Sequence, residues 1–336
     1  MRSAMVFFIS WLIFGCMDSA KQNDTDPNGQ TGMPIIITQT EIFDSRPDTQ
    51  CGDHLIAGNP ATADQILCRK GYALGYNFQK KLANWAAYHI TKNSVQADVS
   101  ITENYQEDHD IQASLRAKLA DYSNPDYQYG QLAHFSTVGF NVTARRESYL
   151  LSNMTPQQPN FTNKGWAALN GYLKSCAIEK KELYVITGPI FNSHNSQTIG
   201  DGIAVPEAYY QVILNPRYPP AGFAFKLPHR PMEDYELEDY VTTIDDIELT
   251  TGMDFFAAVE DSIEQRIEAS SRPICQLPWT KIYSTTNSQN STVSCGTKAF
   301  CSQMTDCQEA RFYMNACRVG TLDRDNDGTP CESICR

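Results

Sequence analysis

The apolar positions of this chain fall into short runs, and most of these runs have the length and spacing of β-strands. Residues 71–89 predict two strands around a turn, because apolar and polar side chains alternate along the second half. Residues 183–188 predict a buried strand by their composition, and residues 209–214 and 222–227 predict two more. Residues 149–151 form a shorter apolar run that we also assign to a strand.

Helical spacing is found in fewer places. Residues 108–120 are polar with helical spacing, and residues 254–268 predict a last helix. Residues 243–252 predict a helix with acidic side chains in its early turns and a glycine near its end. The spacing of Trp166 and the apolar residues after it predicts a helix that begins near Asn163. Because strands and helices do not alternate as βαβ units, we predict an α+β fold with a mixed or antiparallel sheet.

The first residues predict export. Residues 1–16 contain an apolar run that is shorter than the about 20 residues of a membrane-spanning helix, so they predict a signal peptide. The run ends at Cys16 in a pattern that resembles the lipobox of bacterial lipoproteins, where the cysteine carries the lipid. The alternative is an ordinary signal peptide with an incidental cysteine. Residues 17–40 predict a polar tether, so we expect a membrane-anchored or secreted protein of the cell surface or periplasm.

The cysteines support an oxidising compartment. The chain has 11 of them, and without Cys16 an even set remains, as expected for disulfides in an exported protein. We expect Cys51 to pair with Cys68 and Cys176 with Cys275, although the sequence leaves other pairings open. The other cysteines all lie from residue 295 onward, and their density predicts a small module stapled by disulfides.

Composition and charge narrow the possible functions. Hydrophobic residues make up 41% and charged residues 20% of the 336 residues, which excludes global disorder. The net charge of −12 does not indicate a general phosphate binder, although a local basic groove is compatible with it. We expect a large domain over residues 41–275, a Ser/Thr/Asn-rich linker over 276–294 and a separate module over 295–336.

Polar side chains gather where the chain passes from a predicted strand into a predicted helix. Asn153 and Gln157 are amides at the polar end of the strand, and Asn163 lies at or near the start of the helix. A side-chain carbonyl oxygen there can bind Mg²⁺, which often takes its other ligands from water and substrate phosphate. On these residues alone, a helix cap with amides that satisfy turns is the better explanation.

Several segments occur in the order of a known family. They are CRKGYALGYN (68–77), LANWAAYHITK (82–92), LADYS (119–123), GFN and ESYLLSNMTPQ (139–157), ELYVITGPIF (182–191) and IDDIELTTGMDFF (244–256). In this order they resemble the DNA/RNA non-specific endonuclease family with its ββα-metal core. The resemblance implies hydrolysis of phosphodiester bonds in nucleic acid with Mg²⁺. It also implies that Asn163 binds the metal, with Asn160 as the fallback ligand.

The signature motif of that family is altered here. The family's Asp-Arg-Gly-His-Leu-Ala-Pro corresponds to QYGQLAH over residues 128–134, so only Gly, Leu and Ala are retained. The resemblance implies that the His activates water, that the Arg helps to hold phosphate and that a Glu follows on the metal helix. Gln131 replaces the His and cannot accept a proton, and Tyr129 cannot replace a guanidinium. Asn170 stands where the Glu is expected.

His134 is the candidate substitute base. It follows Gln131 by three residues, and three residues of extended chain span up to about 10 Å. An odd offset along a strand also points a side chain to the opposite face. A turn after Ala133 would bring His134 back towards the site. The alternative is a surface or half-buried histidine.

Two functions therefore follow from the resemblance. One is a Mg²⁺-dependent endonuclease with Asn163 and Asn170 at the metal and Tyr129, Asn153 and Gln157 at the substrate. The other is a pseudonuclease that binds nucleic acid or a partner without hydrolysis. Loss of the base alone lowers the rate of hydrolysis by about 10²–10⁴-fold. Because the family's Arg and Glu are replaced as well as its His, physical chemistry favours the pseudonuclease. A purely structural surface lipoprotein is a third alternative.

The C-terminal module carries a second candidate metal site. Asp323, Asp325 and Asp327 alternate before a glycine, and alternate carboxylates converge on one cation when the chain turns sharply. Glu332 occupies the tenth place of this loop, where an EF-hand has its Glu at the twelfth. With the upstream run CQEARFY (307–313), the module resembles the Excalibur calcium-binding domain, which implies Ca²⁺ binding. The alternative is an acidic loop without metal.

Overall fold

A computed structural model describes residues 42–43, 50–97, 99–191, 197–232, 237–277, 298–304, 310, 313–314, 319–322, 330–331 and 333–335. The chain divides into two units, residues 1–282 and 283–336. In the part of the chain that the structure describes, no helix combines the length and the apolar character needed to span a membrane. Cys16 and the predicted signal peptide and tether lie outside the described residues.

Antiparallel strands build the centre of the first unit. They are β1 (Gln65–Cys68), β2 (Ala73–Asn77), β3 (Leu82–Thr91), β4 (Gln128–Gln131), β5 (Met154–Gln157), β6 (Glu182–Ile190), β7 (Thr198–Ile199), β8 (Ile203–Ala204), β9 (Ala208–Asn215), β10 (Ala221–Pro228) and β11 (Val241–Thr242). The main sheet has the order β1-β2-β3-β6-β9-β10-β11, and each neighbouring pair is antiparallel. Two small sheets, β4 with β5 and β7 with β8, complete the strands of the described residues.

Helices flank the main sheet. They are α1 (Lys92–Val95), α2 (Phe135–Val138), α3 (Val142–Glu147), α4 (Pro159–Phe161), α5 (Ala167–Lys180), α6 (Ile244–Thr251) and α7 (Asp261–Glu268). A π-helical turn, Thr162–Trp166, joins α4 to α5. Single turns of π-helix are often found at functional sites.

Both faces of the main sheet are buried. Along β3, Ala86 and Tyr88 belong to the core that also contains the apolar residues of α5. Trp85 and Ala87 belong to a second core, which contains buried residues of α6 and α7. Because successive side chains of a strand point to opposite faces, a strand covered on both faces needs apolar residues at every position. This explains why β6 is buried along its whole length.

The α+β class and the antiparallel sheet are as predicted, but three element predictions are wrong. Residues 149–151 form no strand, and the strand begins at Met154. Residues 108–120 are not an α-helix; Asp108 is instead buried in an ion pair with Arg69, which holds this segment against the core. The last helix is only α7, because Phe256 has a φ of 64°, and a helix does not pass through a left-handed residue.

Two disulfides link segments of the first unit. Cys51 is bonded to Cys68, and Cys176 is bonded to Cys275, as expected from the sequence. The second disulfide joins α5 to the chain that follows α7, across a separation of 99 residues. It therefore links α5 covalently to the last described segment of the first unit.

The C-terminal unit has a small core of its own. Met304, Ala310, Tyr313 and Leu322 are buried beside Cys331, and Cys331 is bonded to Cys301. The four predicted Ca²⁺ ligands lie outside the described residues: Asp323, Asp325, Asp327 and Glu332.

Candidate functional site at the β4–β5 hairpin

The site elements meet at the end of β4. The antiparallel pair β4–β5, whose connection contains α2 and α3, is called the hairpin. Gln131 pairs with Met154 of β5, and Trp166 donates its Nε1–H to the carbonyl oxygen of Gln131 at 2.9 Å. A Cβ at Gly130 would lie 2.1 Å from the side-chain amide carbon of Gln157, so only glycine fits there. The hairpin and the π-helical turn are thus locked together at the predicted catalytic position.

The side-chain amide of Gln131 is hydrogen-bonded to the backbone at both of its ends. Its Nε2 donates to the carbonyl oxygen of Ser148 at 2.9 Å. Its Oε1 accepts from the N–H of Phe135 at 3.2 Å. Only 5% of the residue is exposed. An amide that is bonded to the backbone at both ends and shielded from solvent serves as a structural link rather than as a group presented to solvent.

Asn153 and Gln157 are also buried rather than presented to a substrate. Asn153 accepts from the N–H of Ala133 and donates to the carbonyl oxygens of Ala133 and Ser148, each at 2.9 Å. Gln157 accepts from the Thr162 hydroxyl at 3.0 Å. Neither side chain is exposed. This geometry opposes the substrate-binding role expected for both residues and supports a role in holding the turn.

His134 begins the helix α2. Its Nδ1 accepts from the backbone N–H of Ser136 at 3.2 Å, so the side chain acts as the N-cap. Burial lowers the pKa of His134 to about 4, and the nearby charge of Arg145 contributes. A general base works best when its pKa lies near the operating pH. The turn after Ala133 that a substitute base requires is present, but the histidine is used as a cap and is a weak base.

Tyr129 lies in a row of aromatic rings. Its ring stacks on Tyr105 with the centroids 4.2 Å apart, and its centroid lies 4.6 Å from that of Tyr122. Burial raises the pKa of Tyr129, so its hydroxyl stays neutral. The position at which the resemblance expects a guanidinium therefore holds an uncharged aromatic side chain within a packed stack.

Of the amides expected at Mg²⁺, Asn170 does not fit a hydrated ion, whereas Asn163 is exposed to solvent. Asn170 is 1% exposed and donates to the carbonyl oxygen of Trp166 at 2.9 Å, while its Oδ1 is buried without a partner. Asn163 is exposed, and its Oδ1 lies 3.5 Å from Nε2 of Gln128. The fallback Asn160 accepts from the N–H of Met232 at 2.6 Å. Mg²⁺ keeps several waters, and a sealed Asn170 cannot meet a hydrated ion.

Carboxylates cluster elsewhere in the first unit. Asp245, Glu248 and Glu268 place oxygen atoms within 4.8 Å of one another, and so do Asp254, Glu264 and Glu268. Burial raises the pKa of Glu264 to about 7 and that of Glu268 to about 8. The sequence does not predict this convergence, for which the acidic character of α6, α7 and the segment between them is the available signal. Within the described residues, neither group includes a member of the hairpin.

Comparison with known proteins identifies the first unit. The model of the DNA/RNA non-specific endonuclease family matches residues 50–262. The chain belongs to this family. The Excalibur calcium-binding domain matches residues 298–332, within the second unit. The family name states that its members act on DNA and RNA, and the hairpin described above therefore lies in a nuclease fold.

The chain is similar to several known nucleases. The chain is 30% identical to nuclease C1 of Cunninghamella echinulata var. echinulata over 61% of its own length and 88% of the relative. It is 30% identical to a nuclease of Syncephalastrum racemosum over 67% of its own length and 77% of the relative. A nuclease of Nostoc sp. is 26% identical over 64% of this chain and 85% of the relative.

A solved structure shows the same fold. A chain of the EndoG/EndoGI complex superposes with a TM-score of 0.57 at 21% identity, covering 61% of this chain and 90% of that one. At this identity the likeness concerns the fold. It is consistent with the antiparallel sheet and the flanking helices described above.

Proposed function

We propose that this protein is a pseudonuclease: a member of the non-specific endonuclease family that binds nucleic acid or a partner without hydrolysing phosphodiester bonds by a histidine and Mg²⁺. The observation that carries the proposal is Gln131. Both ends of its amide are bonded to backbone groups at 2.9 and 3.2 Å, at the position where the resemblance expects a base. An amide cannot take a proton from water at neutral pH.

Three neighbouring positions support the same conclusion. Tyr129 is stacked between aromatic rings, His134 has a pKa lowered to about 4, and Asn170 is sealed within the core. Base, phosphate-holding cation and acidic group are thus replaced together. Substitution of one group would slow a nuclease, whereas joint substitution removes the base, the phosphate-holding cation and the acidic group at once.

We further propose that the protein is exported and held at a membrane by a lipid on Cys16, with a Ca²⁺-binding module at its C-terminus. The short apolar run before Cys16 and the disulfides of the first unit support this location. Metabolic labelling with radioactive palmitate tests the anchor. Label in the native chain that is lost in Cys16→Ser supports it, and equal label in both contradicts it.

Plasmid nicking tests the loss of hydrolysis. The fragment from Gly32 onward is incubated with supercoiled plasmid and Mg²⁺, Mn²⁺ or Ca²⁺, and the Nostoc nuclease serves as the positive control. We expect no nicking above the buffer rate by the native fragment or by Gln131→His. The single substitution leaves Tyr129 and Asn170 unchanged, so it restores only one of the three lost roles.

One result would decide against the proposal, and a second would identify which role is missing. Nicking by the native fragment that disappears in Asn163→Ala would show a working metal-dependent nuclease, and His134→Ala would then test the base. Nicking by Gln131→His alone would leave the pseudonuclease standing but would show that the metal site is intact. Fluorescence anisotropy with labelled DNA and RNA then tests binding without cleavage.

A further inference from the structure

The imidazole of His229, directly after β10, contacts the start of helix α4. Its Nε2 accepts a hydrogen bond from the backbone N–H of Gln158 at 2.9 Å. Its Nδ1 lies 2.8 Å from the carbonyl oxygen of Pro206, which can only accept a hydrogen bond. A neutral imidazole has one N–H and one acceptor nitrogen. The two contacts therefore require a neutral ring with its proton on Nδ1.

Aromatic rings and a backbone bond hold the imidazole in this orientation. The rings of Phe161 and Tyr209 meet it edge to face, with centroid distances of 5.2 and 5.3 Å. The centroid of the Tyr127 ring lies 6.1 Å away. The backbone N–H of His229 donates to the carbonyl oxygen of Glu207 at 2.7 Å. Ring and backbone are thus anchored together, and the acceptor nitrogen stays directed at the start of α4.

Gln158 connects this hydrogen bond to the candidate site. Its carbonyl oxygen accepts from the backbone N–H of Thr162 at 3.0 Å and from the Thr162 hydroxyl at 3.2 Å. Thr162 begins the π-helical turn that contains Asn163. The Gln158 side chain forms no capping bond to α4. The position of this end of the turn therefore depends on the backbone of Gln158, which His229 holds through the N–H.

No charged group compensates a proton on His229. Within the described residues, no carboxylate oxygen lies within 4.0 Å of its ring nitrogens. Burial lowers the pKa of His229, against a smaller opposing effect of its Nδ1 hydrogen bond, and no charged side chain contributes. The titratable or charged side chains of the segments around the ring are Tyr127, Lys164, Glu207, Tyr209 and Arg230.

We propose that His229 is a pH switch for the candidate site: the neutral ring holds the start of α4 and the turn of Asn163, and the protonated ring releases them. The added proton comes from solvent and binds at Nε2, because Nδ1 already carries one. Nε2 then has no lone pair for the Gln158 N–H, so two donors face each other. The switch changes the shape of the site whatever the site binds, so it does not depend on the pseudonuclease proposal.

The switch operates on the acid side of neutrality. A released ring takes up its proton near the ordinary pKa of 6.5, whereas the folded site disfavours that proton. The contribution of the bond is therefore complete above pH 6.5 and is lost as the pH falls below that value. The buried Trp166 remains bonded to the carbonyl oxygen of Gln131. We therefore expect the release to be confined to residues 158–163.

Hydrogen–deuterium exchange of the full chain tests the switch. Peptides that cover residues 158–163 are compared at pH 7.5 and pH 5.0, after correction for the intrinsic exchange rate. His229→Gln offers an amide oxygen as the acceptor and cannot titrate. His229→Phe keeps an aromatic ring and removes the acceptor. His109→Gln, at an exposed histidine, is the matched control.

We expect residues 158–163 of the native chain to exchange about tenfold faster at pH 5.0 than at pH 7.5, because their opening is coupled to the uptake of one proton. His229→Gln should change little with pH, and His229→Phe should exchange fast at both values. His109→Gln should behave like the native chain. In nitrogen-15 NMR of labelled histidine, Nε2 of His229 should change from an unprotonated to a protonated nitrogen over the same pH range.

Three results would overturn the proposal. One is a ring that stays neutral at pH 5.0. Another is exchange of residues 158–163 that does not change with pH although Nε2 becomes protonated. The third is a pH dependence that persists in His229→Gln, which would assign the effect to another group such as His134. Both readouts are independent of nucleic acid, so failure here is distinguishable from failure of the proposed function.

Discussion

Gln131 ends β4 with its amide held between the carbonyl oxygen of Ser148 and the N–H of Phe135. The sequence alone places a residue without a titratable group at this position. It does not show that the amide is a structural link between the hairpin, α2 and α3. That second property depends on groups up to 17 residues away, and these meet only when the hairpin folds.

The structural role of Gln131 predicts a loss of stability on its removal. Gln131→Leu removes the acceptor of the partly buried Phe135 N–H, which should lower the free energy of unfolding by about 1–3 kcal/mol. Urea unfolding at constant m-value measures the change. Gln265→Leu, on the exposed side of α7, is the control and should change little. Equal losses in the two variants would contradict the structural role.

His134 predicts a specific pH dependence. Its pKa in the folded state is lowered from 6.5 to about 4, so the folded state disfavours the proton. Its contribution to stability is complete above pH 6.5 and is lost as the pH falls from 6.5 towards 4. His134→Asn keeps an N-cap and removes the titration.

The variant should therefore resist acid better than the native chain. We expect His134→Asn to lose about 1–2 kcal/mol less than the native chain between pH 7 and pH 4.5, after allowance for solvent screening. Urea unfolding at both pH values measures this difference. His109→Asn, at an exposed site, is the control. If both variants lose as much stability as the native chain, the cap does not require the neutral ring.

At the scale of elements, the predictions from pattern succeeded where burial is uniform. The predicted strands at 183–188, 209–214 and 222–227 lie within β6, β9 and β10. These strands are covered on both faces, so their apolar runs are continuous and easily read. Residues 254–268 form a shorter helix than predicted, because helical spacing does not reveal the left-handed φ of 64° at Phe256.

The π-helical turn was also beyond prediction. Thr162–Trp166 lies between α4 and α5, and it leaves Asn163 exposed while Thr162 faces Gln157. No spacing rule distinguishes such a turn from an α-helix in advance. The rings of Phe161 and Trp166 pack against each other within this segment, with their centroids 5.9 Å apart.

The two disulfides of the first unit should differ in their effect on stability. Cys176 and Cys275 close a separation of 99 residues, whereas Cys51 and Cys68 close one of 17. Chain entropy predicts a loss of about 4–5 kcal/mol for Cys176→Ala with Cys275→Ala and about 3 kcal/mol for the other pair. Thermal and urea unfolding of both double variants check the order. A larger loss from the shorter loop would mean that packing at Cys51 dominates.

At the scale of the whole molecule, the C-terminal unit and the nuclease-like unit have separate cores. Calorimetric titration should show Ca²⁺ binding in the native chain, with a dissociation constant of about 0.1–1 mM as in extracellular modules. Asp323→Ala with Asp325→Ala should abolish that heat. Loss of carboxylates from a shared site removes charge and ligands together.

The control for this prediction is Glu268→Gln in the first unit. Glu268 belongs to both carboxylate groups of that unit, so its replacement separates the two locations. We expect the Ca²⁺ heat to persist in Glu268→Gln. Heat that survives the double aspartate variant and disappears in Glu268→Gln would place the cation in the first unit.

The sequence by itself determined the family and the α+β class, whereas the antiparallel sheet and the two disulfide pairs of the first unit were fixed among open alternatives by the structure. The sequence also determined that Gln131 cannot act as a base, because these properties depend on residue type, local pattern and order along the chain. The tertiary structure alone decided how the site residues are used. Burial of Asn170 and the two bonds of Gln131 depend on contacts between distant segments. Hydrogen-bond partners and exposure are set by packing, which spacing along a chain does not encode.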